Sequence, residues 1–333
     1  MVKSQWLARL AGCASFFAFS VIALGAFTRL IDAGLGCPDW PGCYGYLFLP
    51  VAEKTRQFVN LAYPHSPFIA YKAWAEMIHR YFAATLSIFI MAIIALTLKV
   101  RGKVNVMLAL CLLGLVSYQI VLGQLTVTLK LSPVIVTQHL LGGFLILSML
   151  WLTYLYHSQP DTLMLGAHLN KKLKMRLTIG ALLGLVMLVC QILLGAWTST
   201  NYASLSCPDF PFCKNNPLSI PFDLNAVFQR GYPLSETSRE AIQMLHRIGA
   251  LIVISYLLIY YSLALSKIRF SFSLLKTAYL VLGLLCLQAC LGIANVLFKL
   301  PLLTAICHTI VAALLLITFL TFIFKLLTIP THA

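Results

Sequence analysis

Eight apolar runs, each long enough to cross a bilayer, leave this 333-residue chain few folds to adopt. They lie near residues 6–28, 73–98, 104–125, 133–156, 177–198, 241–265, 273–297 and 302–326. A transmembrane helix needs about 20 predominantly apolar residues. In lipid every backbone polar group must find its partner within the protein, so runs of this length are helices. Sixty per cent of the residues are hydrophobic and ten per cent are charged, against about 25% charged in an ordinary soluble domain. Soluble enzymes, disordered chains and fibres are thereby excluded, and the expected fold class is an all-α polytopic membrane protein.

The net charge of +15 suggests an anionic partner only until its distribution is read. No Lys/Arg block interleaved with aromatics appears, so no nucleic acid is expected as a partner. Alternate gaps between the apolar runs differ in character instead. One set holds Lys3, Arg9, Lys99, Arg101, Lys103, Lys171, Lys172, Lys174, Arg176, Lys267, Arg269, Lys276 and Lys325 against a single acid, Asp161. The other set, which includes the long loops 29–72 and 199–240, carries seven acids: Asp32, Asp39, Glu53, Asp209, Asp223, Glu236 and Glu240. Positive residues stay on the cytoplasmic side. Both termini are therefore expected inside and both long loops outside, with a bacterial cytoplasmic membrane as the location. Lys3 and Arg9 before an apolar run also fit a signal peptide, but the run is long for one and has a counterpart later in the chain.

That counterpart belongs to an internal repeat. Residues 25–43 read GAFTRLIDAGLGCPDWPGC and residues 195–213 read GAWTSTNYASLSCPDFPFC, aligned without a gap at an offset of 170. Met77-Ile78-His79-Arg80 returns as Met244-Leu245-His246-Arg247, Gln119 and Gly123 as Gln288 and Gly292, and His139 as His308. The chain is expected to be two pseudo-symmetric four-helix bundles, residues 1–160 and 161–333. An even number of spans in each makes the repeat parallel.

Four of the eight histidines fall inside spans, two per half: His79, His139, His246 and His308. Each sits about six residues from the outer end of its run, roughly 9 Å deep at 1.5 Å per residue. One such histidine is ordinarily a hydrogen-bonding side chain at a helix interface. Four at one depth, repeated between halves, point to function. Two imidazoles on facing helices of a bundle suit the axial positions of a haem iron. Zinc fits less well, because no cluster of further ligands accompanies each pair. Two haem sites are expected, His79 with His139 and His246 with His308. The other histidines, His65, His157, His168 and His332, read as solvated loop or tail residues.

Arg80 and Arg247 each follow a ligand histidine. They either snorkel to the interface or pair with a haem propionate. Glu76 lies three residues before His79 on the same helix face, whereas the second half has Gln243 there. An acid in that place is either interfacial or, beside a haem, a proton acceptor or a stabiliser of positive charge. Its presence in one half alone makes the first half the candidate site of chemistry. Gln119 and Gln288 serve packing or line a pocket. Cys37 and Cys43, like Cys207 and Cys213, stand six apart around Pro-Asp-x-Pro in loops on the oxidising side, and a disulfide in each loop is expected, either structural or redox-active. Cys13, Cys111, Cys190, Cys286, Cys290 and Cys307 read as small apolar fillers.

This constellation resembles the haem A synthase family, in its bacterial, cysteine-bearing branch. The matching residues are Glu76-Met77-Ile78-His79-Arg80, His139, His246-Arg247, His308 and the two cysteine pairs, and the resemblance covers nearly the whole chain. It implies an oxidoreductase that converts the C8 methyl of haem O to a formyl group, by two oxidations through a geminal diol, and delivers haem A for terminal cytochrome oxidase. It further implies that His79 and His139 bind the substrate haem O, that Glu76 assists the oxidation, and that His246 and His308 hold a cofactor haem b. The implied partners are the haem-O-forming farnesyltransferase and an electron acceptor of the respiratory chain.

Three other readings compete. A di-haem b-type electron carrier shares all four histidines but needs no Glu/Gln asymmetry. A membrane thiol-disulfide oxidoreductase would use the loop cysteines and leave the histidines idle. A transporter would need a pair of Gly/Pro-broken helices at the midplane, and none is visible.

Overall fold

A computed structural model describes residues 2–49, 53–100, 102–158, 169–213, 234–269 and 271–332. Nine α-helices account for nearly all of them: α1 (Val2–Leu30), α2 (Glu53–Ala62), α3 (Ala70–Val100), α4 (Lys103–Thr128), α5 (Pro133–Ser158), α6 (Lys171–Thr200), α7 (Glu236–Ile268), α8 (Phe272–Leu297) and α9 (Leu302–Thr328). All but α2 are long and apolar enough to cross a membrane, eight among the described residues. Two-residue strands β1 (Leu169–Asn170) and β2 (Thr331–His332) pair in parallel beside α6.

The helices overrun the apolar runs, because hydropathy cannot see a helix that continues into water. α6 begins at Lys171, where the Asn170 side chain accepts from Lys172 N at 2.8 Å, and α7 begins at Glu236, where the Ser235 hydroxyl accepts from Ser238 N at 3.1 Å. Both are ordinary N-caps. Three expectations need correction. The loop 29–72 contains α2, an amphipathic helix too polar to register as a span. His157 is no loop residue: it lies in the last turn of α5, buried, with the Tyr156 ring edge-on at 4.9 Å. The span cysteines are not core fillers either. Cys13, Cys111, Cys190, Cys286 and Cys290 are on exposed helix surfaces and Cys307 is half-buried. A small apolar side chain loses nothing by facing lipid. His168 and the 160/161 boundary lie outside the described residues.

The chain forms two compact units, Met1–His157 and Ser158–Ala333. In the first, α3 packs on α1 and α4. α5 is reached from α4 by Gln119, whose amide donates to His139 O at 2.9 Å, and from α1 by Gly12, which accommodates the Tyr154 ring. In the second, α6 packs on α7 and α9 while α8 packs on α7 and α9, closing a four-helix ring. Its core at the end remote from the loop is aromatic: Tyr261 meets Phe322 at 5.2 Å and Phe319 at 6.2 Å between centroids.

The repeat extends to backbone detail. α1 ends with Asp32 at positive φ and Ala33 N donating to Thr28 O at 2.9 Å; α6 ends with Tyr202 at positive φ and Ala203 N donating to Thr198 O at 3.0 Å. α4 and α8 both exit through two residues at positive φ, Lys130-Leu131 and Lys299-Leu300. Each exit bonds back five residues, which is how left-handed caps satisfy the orphan carbonyls of a helix end. Trp40-Pro41 and Phe210-Pro211 are both cis.

Candidate functional site

Each half carries a disulfide loop docked on a histidine-bearing helix. Cys37–Cys43 and Cys207–Cys213 are bonded, with Cα atoms 4.8 and 4.9 Å apart. In the first loop the Asp39 carboxylate accepts from Tyr44 N at 2.6 Å and Gly45 N at 2.7 Å, which holds both residues at positive φ. The Tyr44 hydroxyl donates to Pro67 O at 3.2 Å. Burial first, then the carboxylates of Glu76 and Asp39, push this phenol above its ordinary range.

Arginine clamps each loop. Arg80 donates to the carbonyls of Asp39 at 2.8 Å, Pro41 at 3.3 Å and Gly42, and its other terminal nitrogen pairs with Glu76 one turn back. Arg247 donates to the carbonyls of Asp209 at 2.7 Å, Pro211 at 3.2 Å and Cys207 at 2.5 Å. Neither arginine snorkels: both gather carbonyls that the tight loop turns inward.

Glu76 and Gln243 complete the docking. Glu76 is 5% exposed and accepts from Cys37 N at 2.9 Å. Gln243 accepts from Cys207 N at 2.5 Å and donates to Ser204 O at 2.6 Å. The two residues thus do one structural job, but only Glu76 adds a charge to it. Disulfide removal by the double substitution Cys37→Ser/Cys43→Ser is expected to cost the loop about 2 kcal/mol. That corresponds to amide exchange over residues 37–46 roughly 30-fold faster. Arg80 and Glu76 remain, so the histidines below should stay in place.

All four intramembrane histidines rest on a glycine of a neighbouring helix. A Cβ built on Gly25 of α1 would stand 3.0 Å from His79 Cε1, and one on Gly195 of α6 would stand 3.1 Å from His246 Cε1. Gly123 of α4 and Gly292 of α8 relate to His139 and His308 in the same way, at 3.5 and 3.2 Å. A Cβ at Gly25, Gly195 or Gly292 would press on the ring, and one at Gly123 would touch it at ordinary contact distance. Each histidine is half-buried, and the two of each half lie within electrostatic reach of each other. Nδ1 of His79, His139 and His308 is buried without a hydrogen-bond partner. Gln191 of α6 bonds both to His246 Nδ1 and to its carbonyl at 2.9 Å, which fixes the ring and leaves Nε2 for another partner. Gln288 lies 3.2 Å from His308 Nε2.

These residues fit a bis-histidine haem. Imidazoles with unspent nitrogens occur in pairs, and no group of three His/Cys/Asp/Glu among the described residues is disposed to hold a bare metal ion. A porphyrin supplies four ligands itself and asks the protein for two. Gly25→Ala tests the seat with an informative sign. Replacing a mid-helix glycine by alanine ordinarily gains about 1 kcal/mol of helix stability. Here overpacking against His79 should cost about 1–3 kcal/mol instead. Haem retention in the first half is expected to fall roughly tenfold with a shifted absorption band, and an unchanged spectrum would show that the ring has room.

Residues 8–320 match the cytochrome oxidase assembly protein family. The chain is 40% identical over 329 residues to a haem A synthase of Shewanella oneidensis, covering 96% of both chains. It is also 27% identical over 326 residues to a haem A synthase of a Caulobacter strain and 26% identical over 318 residues to one of Wolbachia pipientis. The chain belongs to the haem A synthase family. Among this chain's eight described spans, the residues singled out from sequence converge: Glu76, Arg80 and Cys37–Cys43 by His79 and His139, and Gln243, Arg247 and Cys207–Cys213 by His246 and His308. Sequence reasoning missed Gln191 and the glycine seats. The signal for Gln191 was a lone amide in an apolar run. The signal for the seats was the repeated Gly25/Gly195 and Gly123/Gly292 themselves.

Proposed function

We propose that the chain is a haem A synthase, an oxidoreductase that converts the C8 methyl of haem O to a formyl group. Two pairs of glycine-seated intramembrane histidines in a member of this family are the observation that carries the proposal. His79 and His139 hold the substrate haem O in the first half, and His246 and His308 hold a resident haem b in the second. Bound haem supplies the redox chemistry; the protein supplies ligands, orientation and a dry pocket. Glu76, one turn from His79, offers a buried carboxylate, either to take a proton or to stabilise positive charge at the carbon being oxidised. Arg80 pairs with that carboxylate and holds it in place. A propionate role for Arg80 and Arg247 is carried by whatever donor capacity their loop carbonyls leave.

The remaining assignments follow from charge and chemistry. The basic gaps face the cytoplasm of a bacterial inner membrane, with both termini inside and both disulfide loops outside. The haem-O-forming farnesyltransferase supplies the substrate and a respiratory electron acceptor removes the electrons. A thiol-disulfide oxidoreductase is disfavoured by burial: Cys37, Cys43 and Cys207 are fully buried and Cys213 is 2% exposed, so no substrate thiol reaches the sulfurs.

The test is chromatography with mass spectrometry of haems extracted from protein expressed in cells that make haem O. Haem A or its hydroxylated precursor beside haem b is expected. Haem b alone, with haem O untouched, would make the protein a di-haem electron carrier.

A further inference from the structure

The first disulfide loop does not end at its disulfide. Cys43 and Tyr46 form a tight antiparallel bridge, Cys43 N donating to Tyr46 O at 2.8 Å and Tyr46 N to Cys43 O at 3.1 Å. The turn sends Leu47 and Phe48 outward, 67% and 78% exposed, while Leu49 is buried. From Tyr44 to Pro50 the sequence, YGYLFLP, carries no charge.

Such a tip on a soluble protein would be a liability. Here its attachment explains it. The Tyr81 hydroxyl of α3 donates to Leu47 O at 2.7 Å, and the Tyr81 and Phe48 rings lie 6.0 Å apart. Tyr81 stands two residues past His79, deeper into the span from the loop end. It also lies on one stripe of α3 with Trp74, Ile78 and Ile88, spaced by three and seven residues. Those three apolar side chains are exposed on the spanning helix, as lipid-facing residues are. The loop thus returns to the side of α3 that carries Trp74, Ile78 and Ile88, bonded to a residue two past His79. Three of its polar backbone groups, Tyr46 N, Tyr46 O and Leu47 O, are internally bonded, as lipid demands. The second half has Ile248 at the position of Tyr81, which has no hydroxyl to hold a loop.

We infer that Leu47 and Phe48 insert among the acyl chains of the loop-side leaflet, latched there by Tyr81. Continuity with the lipid-facing stripe of α3 commits the surface to phospholipid rather than to a protein. The first loop is then held at two places, by Glu76 through Cys37 N and by the bilayer through its tip. This gives the loop beside Glu76 a lipid contact that Ile248 cannot provide in the same way in the second half.

The experiment uses the full chain in phosphatidylethanolamine/phosphatidylglycerol vesicles containing a phosphatidylcholine with a diazirine on its acyl chain. After irradiation, adducts are located by peptide mass spectrometry. Adducts at Leu47 and Phe48 are expected at a level comparable to those at Ile88. Tyr81→Phe should lower the tip adducts several-fold and leave those at Ile88 unchanged. Adducts confined to the spans would overturn the inference, as would labelling of the tip by a water-soluble diazirine or its cross-linking to another polypeptide. Unchanged tip adducts in Tyr81→Phe would overturn the latch.

Discussion

Glu76→Gln is expected to leave haem bound in both halves and to lower haem A output at least about a hundredfold, with haem O accumulating. The molecule contains its own control for this substitution. Gln243 occupies the equivalent place, accepts from Cys207 N and donates to Ser204 O. A glutamine at 76 has the same options, Cys37 N and the carbonyl of Gly34, the residue equivalent to Ser204. Arg80 would lose its carboxylate but keep its loop carbonyls, and Arg247 already holds its loop through such carbonyls alone. The loop should therefore stay docked, and what is lost is the charge. Glu76→Asp keeps the charge one methylene short and should retain part of the activity. The measurement is the haem O to haem A ratio in extracts, normalised to protein. Normal haem A in Glu76→Gln would remove the carboxylate from the reaction and leave Glu76 as a loop clamp only.

Much of this arrangement was legible in the sequence for one physical reason. In a chain this apolar, every polar residue within a span is costly and stands out. The four histidines, Glu76 against Gln243, and the two cysteine pairs were visible because the repeat printed each of them twice, or conspicuously failed to. Other features follow from tertiary approach, which spacing does not encode. The glycine seats depend on which helix faces which. The arginine clamps depend on carbonyls from residues about forty positions earlier. α2 escaped notice because an amphipathic helix outside the membrane has too little hydropathy to register. Gln191 was invisible to comparison between halves because its counterpart, Val21, is apolar. That difference is itself informative: at His246 the support is a side-chain amide, and at His79 it is the backbone of Val21.

The two haem sites are expected to be lost separately. His246→Ala should remove haem b by more than tenfold while haem O bound in the first half is retained, and His79→Ala should do the converse. The expectation rests on the separateness of the supports. His79 is seated on Gly25, paired with His139 and overlain by the loop that Arg80 holds, all within one compact unit. His246 is seated on Gly195, hydrogen-bonded to Gln191 and paired with His308, all within the other. Sites that share no side chain respond additively. Gln191→Leu sharpens the test, because it leaves both histidines of the second pair intact. Removing an outer partner that orients a ligand imidazole typically weakens binding 10–100-fold. Haem b retention should fall by about that factor with a shift in its reduction potential, and haem O content should not change, since Gln191 and the first histidine pair belong to different units. Haem stoichiometry from pyridine haemochrome spectra and mass spectrometry decides the matter. Loss of both haems in either histidine variant would mean that the two halves fold around their cofactors as one unit, and the division of labour between them would have to be abandoned.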